Sequence, residues 1–259
     1  MASRWELIDV ALPEYGLPHK RPTLDQSIYQ ARIARLSERT EQSGLDCVLV
    51  YADREHFANL AYLTGFDPRF EEALLILVPG SRPLLITGPE NQSYADVSPI
   101  EMERVVYPPF GLLGQDRSKT PDLAELLGDA GLRRGWQVGV AGWKYFGDNE
   151  CADPATWLET PAYIIDALRV LVGDGGVVNA GRIFMDSSDG LRATNEVDQL
   201  AQFEHAACHA SEAVKRALTG LRPGLSEFEI AALMQLESLP LSCHPMCSSG
   251  SRTKLGLAS

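Results

Sequence analysis

Two histidines, His205 and His209, stand four residues apart, a spacing that places both rings on one helix face and is legal for zinc. Position 206 is alanine, so the glutamate that would make a His-Glu-x-x-His metallopeptidase helix is missing, and the pair reads as partly buried helix histidines. Cys243-x3-Cys247, with His244 between, has the look of a metal knuckle, but no second ligand pair follows at zinc-site spacing. The run Asp186-Ser187-Ser188-Asp189-Gly190 lacks the later glutamate and the regular oxygen spacing of a calcium loop and reads as a turn. His244-Pro245 and Ser248-Ser249-Gly250 could line a pocket or form a tight turn, and Arg69-Phe70-Glu71-Glu72 forms a charged loop between two apolar segments. Neither a Gly-rich phosphate loop nor a Gly-x-Ser-x-Gly elbow is present. Cys47 and Cys208 fall in apolar patterns and read as small hydrophobes.

The elements that must position these residues follow from periodicity. Residues 1–22 hold Pro13, Pro18 and Pro22 and read as an irregular arm. Thr23-x-x-Gln26 predicts a capping box opening a helix with Leu24, Ile28, Ala31 and Ala34 on one face, stopped at Gly44. Residues 47–51 (CVLVY) and 73–78 (ALLILV) are buried-strand patterns; 62–65 is strand-like; 79–82 is turn chemistry, with 84–87 returning as a hairpin partner. Residues 105–107 and 137–141 add short strands. Thr120-Pro121 predicts a helix start whose face is Leu123, Leu126 and Leu127, ended at Gly131, and 161–171 is a further helix. Strands alternating with helices predict an α/β fold with a mixed sheet. The Gly- and Asp-rich stretch 173–190 suggests a boundary, so the expected domains are 1–172 and 173–259. Beyond it lies the longest helical pattern, about 195–220, broken at Arg222-Pro223-Gly224; Ser226-x-x-Glu229 opens another helix, through about residue 236, and the remaining tail has no helical period.

The chain has 259 residues, enough for one large or two ordinary domains, with 45% hydrophobic and 22% charged residues, as in folded proteins. A net charge of −12 disfavours a phosphate-backbone partner, so no nucleic acid is expected. No apolar stretch is long enough for a membrane helix and no signal peptide is visible; with five cysteines in no regular framework, a reduced, cytoplasmic protein is expected.

Two blocks resemble the creatinase/prolidase (Xaa-Pro peptidase) family. His56-Phe57-Ala58-Asn59-Leu60-Ala61-Tyr62-Leu63-Thr64-Gly65-Phe66, followed by the strand at 73–78, is similar to its N-terminal domain. The stretch from Asn195-Glu196-Val197 to Leu221-Arg222-Pro223-Gly224-Leu225-Ser226-Glu227, with His244-Pro245 and Ser248-Ser249-Gly250 after it, resembles the opening helices and the next strand-and-loop of its pita-bread α+β domain. The resemblance implies a mixed-sheet creatinase-like domain joined to an incomplete pita-bread domain, a homodimer, and hydrolysis of a C–N bond in a small peptide or peptide-like compound, with two divalent metals (Mn, Co or Zn) held by two Asp, one His and two Glu. In relatives the N-terminal domain reaches the neighbour's active site near the position of Arg69 and Phe70, so these two and His244 are the expected substrate-binding residues. No aspartate follows Asp198, and the later glutamates (204, 212, 227, 229 and 237) fall on the opening helices, so the ligand set cannot be assembled here. Leu257 stands about where relatives often place a substrate-contacting histidine. The chain as given is therefore expected to be inactive and part of a longer sequence. A metal-free creatinase-type hydrolase and a non-catalytic binding module are the rival readings.

Overall fold

The computed structural model describes residues 8–236 and 240–255. Leu257 lies outside the described residues, as does Glu237. The chain divides into two compact units, residues 24–195 and the N-terminal arm together with the residues from 196 onward.

In chain order the first unit comprises α1 (Gln26–Gln42), β1 (Cys47–Ala52), α2 (Ala58–Thr64), β2 (Ala73–Leu77), β3 (Leu84–Thr87), α3 (Asn91–Tyr94), β4 (Glu103–Val106), α4 (Leu123–Asp129), β5 (Val138–Ala141), α5 (Ala162–Val172), β6 (Val177–Asn179) and α6 (Gly181–Met185). The six strands form one sheet in the order β4-β3-β2-β1-β5-β6. Only the β2 pairings are antiparallel; β1–β5, β3–β4 and β5–β6 are parallel, so the sheet is mixed as expected.

Strand alternation sorts the core into two layers. Cys47, Leu49 and Tyr51 face one side, where Leu123, Leu126 and Leu127 of α4 and Ile164, Ile165 and Leu168 of α5 cover them. Val48, Val50 and Ala52 face the other, under Leu36 of α1, Leu60 and Leu63 of α2, and Phe184 of α6. A sheet buried on both faces needs apolar residues at successive positions, which is why CVLVYA is buried throughout.

Several expectations are corrected. Asp25, not Thr23, caps α1, its carboxylate accepting from Ser27 N at 2.9 Å. Asp122, not Thr120, caps α4. In both cases a short carboxylate two residues downstream meets the free amides of the first turn better than the threonine does. The buried face of α1 is Tyr29, Arg32, Leu36 and Thr40, while Ala31 and Ala34 are exposed. Arg32 is fully buried because its guanidinium lies 4.2 Å from the Tyr62 ring centroid and 5.5 Å from that of Tyr29, and donates to Tyr62 O at 2.8 Å. Residues 62–65 end a helix rather than forming a strand; Gly65, at φ +69°, terminates it in the left-handed conformation. The first unit also runs past the boundary expected at 172/173. Val177–Asn179 completes the sheet beside β5, and α6 packs Phe184 beneath it, despite the Gly- and Asp-rich composition.

In the second unit, α7 (Val197–Gly220) and α8 (Glu227–Leu233) form a helical pair, and Ser226 and Glu229 make the expected capping box, although α8 ends at Leu233. Residues 8–22 run along α7 without helix or strand: Gln202 donates to Pro22 O, His209 Nε2 lies 3.1 Å from Pro18 O, and Lys215 pairs with Glu14 at 2.9 Å. Residues 250–255 form a short 3-10 turn where no period was visible.

Candidate functional site

The chain leaves β1 toward β2, β3 and β4 on one side of the sheet, then crosses to β5 and β6 on the other. The gap beyond the carboxyl ends of β1 and β5 is thus a topological switch point, where open α/β sheets bind ligands. The residues leaving β1 build its first wall. Asp53 Oδ1 accepts from the amides of Glu55 (2.9 Å) and His56 (2.8 Å), and His56 Nδ1 lies 3.0 Å from both carboxylate oxygens. The imidazole stacks on Trp143, just past β5, with centroids 3.9 Å apart and planes 21° from parallel. Burial pushes the Asp53 carboxyl up, but the bonds from the His56 ring and the two amides outweigh it, so its pKa lies below the ordinary value. An ionised Asp53 has no proton to give, so His56 Nδ1 is the donor of this pair.

Glu72, just before β2, supplies the second wall. Its two oxygens accept from Tyr51 (2.7 Å) and Tyr163 (2.8 Å) hydroxyls. Burial first, then the hydrogen bond to Glu72 and its charge, pushes the Tyr51 pKa up, and burial and Glu72 do the same for Tyr163, so both phenols stay neutral donors. Glu159 holds the exit of β5, accepting from the amides of Trp143 (2.6 Å) and Lys144 (3.0 Å).

The charged loop at residues 69–72 divides in two. Glu71 is 2% exposed. It accepts from Glu90 N at 3.1 Å, Asn91 N at 3.0 Å and Asn91 Nδ2 at 2.8 Å. Gly88 leaves the room, since a Cβ there would sit 2.5 Å from the carboxylate. Burial raises the Glu71 pKa, and the three N–H donors only partly offset that. With Glu71 clamped, Arg69 takes φ +57° and Phe70 stands 51% exposed. The Arg69 amide donates to Asp67 Oδ1 at 2.9 Å, while its guanidinium lies 3.8 Å from Asp67 Oδ2. Two of the expected substrate-binding residues, Arg69 and Phe70, are thus presented together on a braced loop of the first unit. His244, the third, is an exposed residue of the second unit.

The polar residues of the 56–66 block are internal ties. Asn59 donates to Gly142 O (2.7 Å) and accepts from Arg192 (2.8 Å), while Tyr62 OH donates to Leu191 O (2.9 Å). They lash the end of the first unit to α2 and β5. The pattern of the creatinase/prolidase N-terminal domain matches residues 32–142, spanning α1 to the end of β5. Residues 32–142 are thus a domain of the creatinase/prolidase N-terminal type. Solved structures agree on the fold. A prolidase from Thermococcus sibiricus superposes with a TM-score of 0.59 at 17% identity, over 83% of this chain and 50% of that one. The prolidase from Pyrococcus horikoshii gives 0.55 at 16%, over 80% and 48%, and an Xaa-Pro dipeptidase from Bacillus anthracis gives 0.53 at 16%, over 80% and 48%. The chain spans about half the length of these relatives. Curated protein sequences contain no match to it.

The divalent metals implied by the creatinase/prolidase family do not fit the residues present. Among the described residues no group of three His, Cys, Asp or Glu gathers as a metal site. The rings of His205 and His209 lie 4.7 Å apart without a third ligand. Asp186 Oδ1 accepts from the Ser188 amide and hydroxyl, a local turn. Cys243 and Cys247 are free thiols, and burial, aided by Asp46, pushes the Cys47 thiol up to about 12. Ser249 N donates to Glu227 Oε1 at 2.9 Å, which makes residues 248–250 a turn tied to the start of α8. No helix among the described residues is long and apolar enough to cross a membrane.

Sequence reasoning missed Asp53, His56, Trp143 and the Tyr51–Glu72–Tyr163 trio. The signal was present: Asp53-x-x-His56 directly follows one Val-rich strand and Trp143 another, and both belong to parallel strands whose carboxyl ends share one edge.

Proposed function

We propose that the 24–195 unit is the N-terminal domain of a prolidase-like hydrolase that cleaves a C–N bond in a small peptide or peptide-like compound. In this reading the residues from 196 onward are the opening helices of its pita-bread domain, and the protein works as a cytoplasmic homodimer without nucleic acid. The observation that supports it is the match of residues 32–142 to the creatinase/prolidase N-terminal domain on a sheet that superposes on prolidases. The loop held by Glu71 presents Arg69 and Phe70 to the substrate bound by the neighbouring subunit, with a guanidinium for a carboxylate and a ring for an apolar side chain. His244 lines the substrate pocket of its own subunit. The two metals (Mn, Co or Zn) would be held by residues other than those described here, so no step of the reaction is assigned to them.

The test is to express the longest polypeptide encoded by the reading frame and follow Xaa-Pro dipeptide hydrolysis with added Mn, Co or Zn. Metal-dependent cleavage is expected there, and none from the 259-residue chain. Metal-independent cleavage of a guanidinium-type C–N bond would replace this reading with a creatinase-type one. Neither turnover nor bound metal would replace it with a protein-binding role.

A further inference from the structure

The second unit contains a hollow of ≈ 320 Å³, lined by residues of the N-terminal arm, of α7 and of the stretch after α8. Ala206 and Ala210, about one turn apart on α7, leave the space. Leu236, Pro240 and Leu241 complete its apolar lining, and no phenyl, phenol or indole ring is among the described lining residues. The polar lining is Arg21, Gln202, His205 and His209. None of the described lining residues is acidic, although the chain carries a net charge of −12. A largely apolar hollow of this size with a few convergent polar groups has the form of a small-molecule site.

The four polar residues are unequally committed. Gln202 donates from Nε2 to Pro22 O at 3.0 Å and accepts on Oε1 from Gln199 at 3.2 Å. His209 Nε2 lies 3.1 Å from Pro18 O; a carbonyl only accepts, so that nitrogen carries a proton already in use. The His205 ring lies 4.7 Å from that of His209 and makes no hydrogen bond or ion pair among the described residues. Arg21 likewise makes none. A guanidinium fork and an imidazole N–H on one hollow suit the two oxygens of a carboxylate and repel an ammonium. A bare anion such as phosphate would leave the apolar lining unused, and with no aromatic wall to stack on, an aliphatic body suits that lining better than a ring.

We propose that this hollow binds a medium-chain aliphatic monocarboxylate, with its carboxylate held by Arg21 and His205 and its chain laid on Ala206, Ala210, Leu236 and Leu241. The site lies wholly within the second unit and does not depend on the hydrolase reading.

The probe is octanoate, titrated into the purified chain carrying isotope-labelled histidine, while the His205 ring resonance, assigned with His205→Gln, is followed by NMR. A saturable shift of that resonance is expected, with His56 in the other unit unmoved. The neutral analogue 1-octanol should bind roughly tenfold or more weakly, and octylamine should not compete. Arg21→Gln should weaken octanoate by roughly tenfold or more and leave octanol unchanged, since Arg21 is exposed. Ala206→Phe, at an exposed helix position, should fill the hollow and weaken acid and alcohol alike. Shifts that do not saturate or that move His205 and His56 together, equal affinity for acid and alcohol, or either variant binding octanoate like the parent would overturn the assignment.

Discussion

Glu71→Gln isolates the clasp that braces the 67–72 loop. The glutamate places one oxygen against Glu90 N and the other against both Asn91 donors. Glutamine can match only one side; its amide nitrogen would face a donor and leave a buried N–H without an acceptor. That costs about 1–3 kcal/mol, and losing charge-assisted bonds adds to it, while relief from burying a charge offsets part, so a net loss of about 1–3 kcal/mol is expected. For a unit of this size that lowers Tm by roughly 3–10 °C. The pH dependence supplies a second, sign-specific test. Because burial raises the folded-state pKa of Glu71 above its ordinary 4.5, the folded chain holds that proton more tightly than the unfolded chain. The contribution is full below about 4.5 and is lost as pH rises through the raised value; a protonated Glu71 can still accept through its hydroxyl oxygen, which a glutamine nitrogen cannot. The gap between parent and Glu71→Gln should therefore shrink as pH is raised from 4.5 to 8, measured by urea unfolding under tryptophan fluorescence. A gap under about 0.5 kcal/mol throughout, or one that widens with pH, would refute the clasp.

Asp53→Asn should cost about 1 kcal/mol at neutral pH; because the Asp53 pKa is lowered on folding, the difference should fade as pH drops through that lowered value, as acid unfolding curves would show. Gly65→Ala meets both a left-handed φ of +69° and Tyr29 Oη 3.1 Å from the new Cβ, so it should destabilise by about 1–2 kcal/mol in thermal melts. Asp122→Ala removes the cap of α4 and should cost about 1 kcal/mol in the same assay. In the second unit, Val197, Leu218 and Phe228 are 80%, 59% and 90% exposed, so the 259-residue chain should bind a hydrophobic dye or self-associate, and a dye-silent monomer by light scattering would count against the view that those helices await a covering layer.

The elements that sequence made legible are those whose burial is uniform or whose ends carry a strong cap. CVLVYA and ALLIL can only be strands buried on both faces, and the Ser226–Glu229 box marks α8. Elements sustained by distant partners were hidden. Val177–Asn179 is three residues long and becomes a strand because β5 offers an open edge. The Arg32 face of α1 defeats an apolar count, since an arginine is core only once two tyrosine rings enclose it. The candidate site was partly legible: the block around Asn59 and Tyr62 pointed to the creatinase/prolidase N-terminal domain, and Arg69 and Phe70 lie exposed on one loop, their substrate role being a proposal. The Asp53–His56–Trp143 stack was not, because its members are 90 residues apart and meet only through the parallel pairing of β1 with β5.

The most direct test of the account is the steady-state kinetics of Xaa-Pro dipeptide cleavage by the longest encoded form, as parent and as Phe70→Ala. The account predicts metal-dependent turnover in the parent and a KM raised roughly tenfold with little change in kcat in the variant, as for a lost binding contact of about 1.4 kcal/mol. A parent without turnover at saturating metal, or a variant with unaltered constants, would contradict it.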